Sequence, residues 1–360
     1  MRLTDEQIRS IDKTVLEWIR QKTIPGVVVG IVQERSPSFM KGYGSADTAK
    51  EINMTPYSSF HAASISKLFT ATAVMQLAEL SRIDIDSPWI RYVPDYVPKD
   101  PNVASMTIRS MLSHLTGLND LPDEGWIEKW RNSRMDEHAL RDFVMSQQSV
   151  SIDPDKTGSF SYNNIAYEML GFLVQSVSEM PFETYCKVKI FQPLGMKDSS
   201  FLKSEFPVGS LAQPHIKAED GHLSVSDVYP YHRAHAPSST LCTTAPDLSL
   251  FACAILNILS GQNGQSSILR RESLEQMITP QQTIKKGERI GLGWFISDYD
   301  NRLFYGHEGN DIGYRTTFAM IPDLDMAVIV LSNLQTASTR RLMRAIYDEV
   351  TELSNWNGSR

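Results

Sequence analysis

A serine followed three residues later by a lysine is the first pattern in this sequence that can do chemistry. It occurs four times, at Ser10, Ser38, Ser64 and Ser200. On a helix, residues three apart lie on one face, so a serine in the first turn places its hydroxyl beside the lysine ammonium. The start of a helix also offers free backbone N–H groups and a positive dipole end, which stabilise an oxyanion. Only Ser64 has this setting, because it opens a largely apolar segment that predicts a buried helix over 64–80.

The other three serines fit the ordinary interpretation of a surface or capping residue. Ser38 and Lys41 lie in a predicted hairpin, where a spacing of three puts two side chains on opposite faces of the strand. Ser10 lies on the charged face of a predicted first helix, and Ser200 lies in a predicted loop. Ser64 is therefore the candidate nucleophile.

Lys67 is the candidate base for Ser64. Burial disfavours the charged form of a lysine and lowers its pKa, so that it can accept the serine proton near neutral pH. Most lysines instead extend to solvent, which fits poorly within the apolar segment 68–75.

A second chemical pattern is Tyr162-Asn163-Asn164, at the start of another predicted helix. A phenol near a cationic lysine can be held partly as phenolate and can pass protons to a leaving group. The Asn164 amide can bind a substrate carbonyl or orient Lys67. Taken alone, such a tripeptide at a helix start is more typical of N-capping than of catalysis.

A third pattern, Gly306-His307-Glu308-Gly309-Asn310, precedes a predicted pair of strands. A glycine in a strand often permits close approach of a ligand to the backbone, which is the role expected of Gly309. The N–H of Asn310 is a candidate second oxyanion donor beside that of Ser64, and His307 would face the reacting acyl group. A lone histidine is more often a surface or structural residue.

The elements that must position these residues follow a simple order along the chain. Strand-like segments lie near both ends, and helical periodicity fills the middle. The predicted elements are a helix over 4–21, strands over 27–32 and 39–43 with a turn at 36–38, helices over 64–80, 107–115, 137–147, 163–178, 181–190 and 245–260, strands over 316–321 and 326–332 with a turn at 322–325, and a helix over 339–353. We therefore predict a mixed α/β fold in which residues 1–75 and 240–360 form one discontinuous α/β lobe and 76–239 a mostly helical lobe, with the active site between them. The connection 213–239 is long enough to be a loop at the pocket edge.

Composition excludes several functional classes. The chain of 360 residues has 41% hydrophobic and 21% charged residues and a net charge of -7, which argues against nucleic acid as a partner. No apolar run long enough to span a bilayer is present. The amino terminus lacks the pattern of a secretory signal, which predicts a cytoplasmic protein. The three cysteines, Cys186, Cys242 and Cys253, have no CxxC spacing and are expected to be buried thiols.

Together and in this order, the three patterns resemble the serine β-lactamase and penicillin-binding-protein superfamily, whose signature begins with Ser-x-x-Lys and ends with Lys-Thr-Gly. The resemblance is strongest to the branch of class C β-lactamases and related esterases, which uses Tyr-x-Asn as its middle motif and often His-x-Gly as its third. Further similar segments are 42–47, 112–118, 193–196, 243–248 and 291–294.

The resemblance implies an antiparallel sheet flanked by helices beside a helical lobe, with Ser64 as nucleophile and Lys67 and Tyr162 as the acid/base pair. It implies an acyl-enzyme, a small-molecule ester, amide or lactam as substrate, and no metal or organic cofactor. His232 and His235 lie three apart, but without a third ligand at helical spacing they favour a loop over a zinc site.

Two departures from the family pattern concern specificity. His307 stands where β-lactamases and transpeptidases have a lysine that helps to hold the substrate carboxylate, and Glu308 adds negative charge, so anionic β-lactams are expected to bind less well. Residues 237–241 stand where many relatives have a Gly-Gly pair. Trp126 and Trp130 are candidates to shape an acyl pocket, although tryptophans at this spacing are as often core residues.

Three functions remain open on the sequence alone. The first is an esterase or amidase on a small acyl substrate, with residual β-lactamase activity. The second keeps the acyl-enzyme but makes the chain an acyltransferase or a D-amino-acid peptidase. The third is a catalytically silent sensor of the same fold, against which the intact serine, lysine and tyrosine count. The natural substrate and the oligomeric state do not follow from the sequence.

Overall fold

Strands from both ends of the chain form one large antiparallel sheet in the computed structural model, which describes residues 3–120, 130, 132–206, 209–262 and 268–351. Its strands are β1 (Gly26–Gln33), β2 (Ser36–Asp47), β3 (Ile52–Asn53), β8 (Gln282–Lys285), β9 (Glu288–Ile290), β10 (Phe295–Tyr299), β11 (Arg302–Asp311), β12 (Tyr314–Ile321) and β13 (Met326–Ser332). They are ordered β3-β2-β1-β13-β12-β11-β10-β9-β8. Short strand pairs join β4 (Phe60–His61) to β7 (Cys242–Thr243) and β5 (His215–Lys217) to β6 (Leu223–Val225).

The first hairpin turns earlier than the sequence predicts. Glu34 and Arg35 join β1 to β2, and both have positive φ angles, 51° and 59°. Two-residue hairpin turns with left-handed backbone match the twist of the flanking strands. The predicted turn at 36–38 is therefore wrong, and Pro37 instead pairs with Val32 inside the ladder. The later turn predicted at 322–325 is confirmed, since Pro322–Leu324 form a tight helical turn between β12 and β13.

Helices cover both faces of the sheet and fill the middle of the chain. In the part of the chain that the structure describes, they are α1 (Asp5–Lys22), α2 (Ser66–Glu79), α3 (Ile108–Leu112), α4 (Ala139–Ser146), α5 (Ile165–Ser178), α6 (Phe182–Cys186), α7 (Gln192–Leu194), α8 (Ala245–Leu259), α9 (Arg271–Ile278) and α10 (Thr339–Val350). None of these described helices has both the length and the apolar character needed to cross a bilayer. The mixed α/β fold with a large antiparallel sheet confirms the predicted fold class.

Alternation along β1 explains how the sheet acquires two cores. Val27 and Val29 are fully buried with apolar residues of α1 and α10, whereas Val28 is buried with those of α8, because successive side chains of a strand point to opposite faces. The sheet is therefore covered on both sides. The division into two lobes, 1–75 with 240–360 and 76–239, stays a prediction, which the origin of the strands at both chain ends supports.

The helix that carries Lys67 is buried on all sides. Ser66 to Met75 of α2 are all buried, and the neighbouring helix α5 is buried from Ile165 to Val174. The predicted helix over 64–80 begins differently from the prediction, because Ala63–Ile65 form a 3-10 turn and the α-helix starts at Ser66. Ser64 thus lies in the turn just before the helix.

Candidate active site

The Ser64 turn is held in a backbone conformation that few residues adopt. Ala63 has a φ angle of 48°, in the left-handed region that costs a non-glycine residue free energy. Strand β11 lies directly against this turn at Gly309, where an added Cβ would lie 2.2 Å from the carbonyl oxygen of Ala62 and 3.0 Å from the Cβ of Ala63. Thr316 of β12 also donates a hydrogen bond of 2.8 Å to the Ala62 carbonyl. The first and third sequence patterns are therefore in contact.

Lys67 is fully buried and bonded to the Ser64 hydroxyl. Its Nζ lies 3.2 Å from Ser64 Oγ, 2.8 Å from Asn164 Oδ1 and 2.9 Å from the carbonyl oxygen of Ser238. Burial lowers the pKa of Lys67 to about 7, although the negative charges of Glu168, Asp120 and Asp311 act in the opposite direction. A substantial fraction of Lys67 is then neutral at pH 7 and able to accept a proton, as the sequence predicts.

The Tyr162 hydroxyl lies close enough to the Ser64 hydroxyl for the two groups to interact. The Tyr162 ring centroid lies 4.9 Å from Lys67 Nζ, and its ring stacks on that of His114 at 4.5 Å. Burial raises the pKa of Tyr162, and nearby Asp120 raises it further, while the interaction with the Ser64 hydroxyl lowers it. The prediction of a partly ionised phenol is therefore wrong, because burial disfavours the phenolate and Tyr162 carries its proton in this site.

Asn164 orients Lys67 in this structure. Its Oδ1 accepts the hydrogen bond from Lys67, while its side-chain and backbone N–H groups donate to Asp120 Oδ2 at 3.2 and 2.8 Å. Asp120 thereby fixes which end of the amide faces the lysine. The capping role belongs to Asn163, whose Oδ1 accepts from the backbone N–H of Ala166.

His307 lies on the opposite wall and is neutral. Its side chain is almost fully buried, and Nδ1 donates to the carbonyl oxygen of Glu308 at 2.6 Å. Because a carbonyl only accepts, the neutral ring has its proton on Nδ1 and a free lone pair on Nε2. Burial lowers the pKa of His307 to about 3, and the charge of Lys67 acts in the same direction. The predicted neutral state of His307 is confirmed.

An open cleft of about 700 Å³ brings the predicted residues together. Residues that line it include Ser64, Tyr162, Asn164, His307, Gly309 and Asn310. Trp130 also lines the cleft, packed edge-on against the His235 ring, while Trp126 lies outside the described residues. The N–H of Asn310 as second oxyanion donor stays a prediction, and its place on the cleft wall beside Ser64 supports it.

The negative charge expected from Glu308 is balanced by two arginines. Its carboxylate lies 3.1 Å from Arg315 and 3.4 Å from Arg340, and Arg340 also contacts Glu288 at 2.9 Å. Arg315, Arg340, Glu288 and Glu308 all line the cleft. The prediction that Glu308 makes the site more negative is therefore wrong, since its charge is paired, and the neutral state of His307 is the remaining reason to expect weak binding of anionic β-lactams.

Several residues around the site were not predicted as site residues from the sequence, although Ser238 lies in the segment 237–241 that departs from the family pattern. His114 stacks on Tyr162, Asp120 holds Asn164, and Glu168 and Ser238 lie behind Lys67. His114 belongs to the family-like segment 112–118, which could have indicated it. The predicted loop 213–239 contains the short strands β5 and β6, and Ser239 at its end lines the cleft.

The alternative serines and the histidine pair have structural partners. Ser38 donates to the Ile31 carbonyl, Ser10 donates to Glu349, and Ser200 Oγ accepts from the backbone N–H of Leu202. The rings of His232 and His235 lie 5.0 Å apart. Within the described ranges, no group of three His, Cys, Asp or Glu side chains is placed to hold a metal ion.

Comparison with known proteins finds a matching family and similar relatives. The family model described as Beta-lactamase matches residues 8–352. Protein flp of Staphylococcus aureus strain N315 is 23% identical over 356 residues, which cover 97% of this chain and 68% of that protein.

Two solved structures share the fold. An octameric penicillin-binding protein homologue from Pyrococcus abyssi superposes with a TM-score of 0.82 and 24% identity, covering 98% of this chain and 78% of that one. The D-amino acid amidase from Ochrobactrum anthropi SV3, complexed with L-phenylalanine amide, superposes with a TM-score of 0.80 and 19% identity, covering 97% and 99%. The resemblance read from the three motifs is confirmed, and the chain belongs to the Beta-lactamase family.

Proposed function

We propose that this chain is a serine hydrolase that forms an acyl-enzyme on Ser64 and acts as an esterase or amidase on a small acyl substrate. The observation that carries the proposal is the fully buried Lys67 amine, 3.2 Å from Ser64 Oγ. Its pKa of about 7 makes it a base at neutral pH, when an exposed lysine would be almost entirely protonated.

The reaction begins with attack of Ser64 Oγ on the substrate carbonyl carbon. As the new C–O bond forms, the hydroxyl proton moves to neutral Lys67, and the carbonyl oxygen becomes an oxyanion. The N–H groups of Ser64 and Asn310 are the proposed donors to that oxyanion. Collapse of the tetrahedral intermediate breaks the bond to the alcohol or amine, which takes a proton from Tyr162, itself reprotonated from Lys67.

Deacylation runs the same proton path in reverse. Water attacks the acyl carbon and gives its proton to the Lys67–Tyr162 pair, and Ser64 Oγ leaves as a hydroxyl. No step requires a metal or an organic cofactor. An acyl acceptor other than water in the same position would make the chain an acyltransferase.

The cleft wall supports a neutral acyl substrate with a hydrogen-bond donor. His307 lines the cleft, and its unprotonated Nε2 is a buried acceptor that no described residue binds; a substrate N–H or O–H that enters beside the ring would donate to it. Amide substrates gain support from the fold shared with the D-amino acid amidase. A D-amino-acid peptidase or amidase is therefore the second candidate, since its substrates carry such N–H donors.

Intact-mass spectrometry tests this function. Separate samples of the wild type and of Ser64→Ala are exposed to a fluorophosphonate or to one member of a panel of p-nitrophenyl esters, D-amino-acid amides and nitrocefin. We expect a covalent adduct on the wild type alone, with esters or amides turned over faster than nitrocefin. An unmodified wild-type mass with every reagent would contradict the proposal and favour the sensor alternative.

A further inference from the structure

A buried carboxylate lies behind Lys67, on the side away from the cleft. Glu168, one turn along α5 from Asn164, is completely buried. Its Oε1 accepts a hydrogen bond from Ser238 Oγ at 2.5 Å and lies 3.1 Å from His235 Nδ1. Ser238 and His235 are also completely buried. An oxygen that receives two polar partners in a dry interior is typical of an ionised carboxylate held in place by hydrogen bonds.

Ser238 connects this carboxylate to the Lys67 amine. Its hydroxyl binds Glu168, and its backbone carbonyl accepts the hydrogen bond from Lys67 Nζ at 2.9 Å. One residue thus contacts both charged groups, one through its side chain and the other through its main chain. Any shift of Ser238 that lengthens one contact must also disturb the other.

The segment 237–241 is fixed on both sides by helices α2 and α5. Thr70 donates to the Pro237 carbonyl at 2.7 Å, and the Leu241 N–H donates to Ser66 Oγ at 3.0 Å. On α5, Gly171 leaves room for the Pro237 ring, since an added Cβ would lie 2.0 Å from Pro237 Cγ.

We propose that Glu168 is a positioning residue for Lys67: through Ser238 it holds the carbonyl that binds the amine, and its buried negative charge favours the protonated amine. The inference rests on the proposed role of Lys67 as the base for Ser64. Glu168 does not line the cleft, and it acts on the reaction only through Lys67.

Other titratable side chains lie near Lys67, on the elements that pack against helix α2. Two of them, Asp120 and Asp311, add negative charge. The others are uncharged at neutral pH because burial opposes their ionisation; they are Tyr162, Tyr167, His114 and His307. Glu168 is the largest of the charged influences that raise the pKa of Lys67 against the effect of burial. Removing its charge must therefore lower that pKa further.

Loss of the Glu168 charge is expected to move the pH dependence of acylation to lower pH. Lys67 accepts a proton only when neutral, so the acylation rate rises with pH through its pKa. In wild type the midpoint is expected near pH 7. In Glu168→Gln the protonated amine loses a buried counter-charge, and the midpoint moves down by about one unit. The plateau at high pH falls by about 3- to 10-fold, because Gln binds the Ser238 hydroxyl less well.

The experiment measures the second-order rate of fluorophosphonate labelling between pH 5 and 9 in wild type, Glu168→Gln and Ser238→Ala. In this reaction Ser64 Oγ bonds to phosphorus, fluoride leaves, and the hydroxyl proton passes to Lys67. Ser238→Ala keeps the Glu168 carboxylate but removes its hydrogen bond to segment 237–241. For this variant we expect a lower labelling rate at high pH and a smaller shift in the midpoint of the pH curve than for Glu168→Gln. Glu183→Gln removes another buried carboxylate, one paired with Arg233, and is expected to leave the curve unchanged.

The pH curves distinguish a positioning role of Glu168 from a purely structural role. A Glu168→Gln curve with the wild-type midpoint would overturn the inference, because a purely structural role lowers the plateau without moving the midpoint. If that variant does not fold, a wild-type rate in Ser238→Ala would overturn the inference. Absence of labelling at Ser64 in the wild type would instead reject the proposed function itself.

Discussion

Two sides of the active site, or walls, meet at Ser64: the buried wall of helices α2 and α5, which carries Lys67 and Glu168, and the exposed wall of strand β11. They differ in how far their charged side chains are shielded from water. On the Lys67 side, the amine and the Glu168 carboxylate are both completely buried, and each has fixed partners. On the β11 side, Glu308 and Arg315 pair at the cleft surface with side chains 30% and 31% exposed. Charge is strong in a dry interior and screened by water at a surface. We therefore expect proton transfer at Ser64 to depend on the buried charges of the Lys67 side, and the exposed charges of the β11 side to influence which substrate is preferred.

The largest expected effect is on the buried wall. Lys67→Ala removes the proposed base and the hydrogen bond between its amine and the Ser64 hydroxyl. We expect fluorophosphonate labelling and ester hydrolysis to fall by about 10²- to 10⁴-fold, with the fold intact by circular dichroism. A rate within threefold of wild type would mean that the buried amine contributes little to the reaction, which contradicts the expected difference between the two sides of the site.

The second-largest effect is expected at Gly309, where strand β11 contacts the Ser64 turn. Gly309→Ala places a Cβ 2.2 Å from the Ala62 carbonyl oxygen and from Thr316 Oγ1, so the Ser64 turn or β11 must move. We expect a loss of about 2–3 kcal/mol in the free energy of unfolding, measured in urea, together with a loss of activity.

Gly158→Ala is the control for Gly309→Ala. No atom lies within 4 Å of an added Cβ there, and only the positive φ of 77° is unfavourable. About 1 kcal/mol is expected, with activity unchanged. Equal costs at the two glycines would mean that the two walls are not in close contact.

A smaller effect is expected from charge on the β11 wall. His307→Lys replaces a neutral ring by the cation of other family branches. We expect the ratio of kcat/KM for nitrocefin to that for a neutral p-nitrophenyl ester to rise about tenfold, the value of one charged hydrogen bond. Using a ratio cancels any change in Lys67 common to both substrates. An unchanged ratio would remove His307 from the explanation of specificity.

The smallest effect is expected at the exposed pair. Arg315→Gln breaks the contact with Glu308, yet exposed ion pairs contribute less than about 1 kcal/mol to stability. Thermal unfolding should therefore change little, while the ester-to-nitrocefin preference should shift by less than about threefold and disappear at high salt. A large, salt-independent loss would show that this wall is as tightly coupled to the reaction as the buried one.

The sequence predicted the parts of this molecule that local pattern and motif spacing determine. Ser64, Lys67 and Tyr162, predicted as catalytic because their chemistry requires particular residue types in a particular context, lie together in the structure, and their catalytic roles stay predictions. Helices in the middle of the chain were found because apolar residues recur with helical spacing. The hairpin turn at Glu34 and Arg35 was missed because neither residue is a usual turn former.

Contacts between distant segments could not be predicted. Glu168 looks like an ordinary polar residue on a helix, and only the folded chain places Ser238 between it and Lys67. The protonation of Tyr162 depends on burial, which a sequence does not give for one side chain. The pairing of Glu308 with Arg340 likewise joins a strand to a helix that begins about thirty residues later.

The central claim is that neutral Lys67 activates Ser64, and the most direct test is the pH dependence of labelling in the wild type with the modified residue identified by peptide mapping. The pKa of about 7 predicts a fluorophosphonate adduct on Ser64 alone, formed slowly at pH 5.5 and about tenfold or more faster at pH 8.5. An adduct on another residue, or a rate that does not change between these two values, would contradict the account.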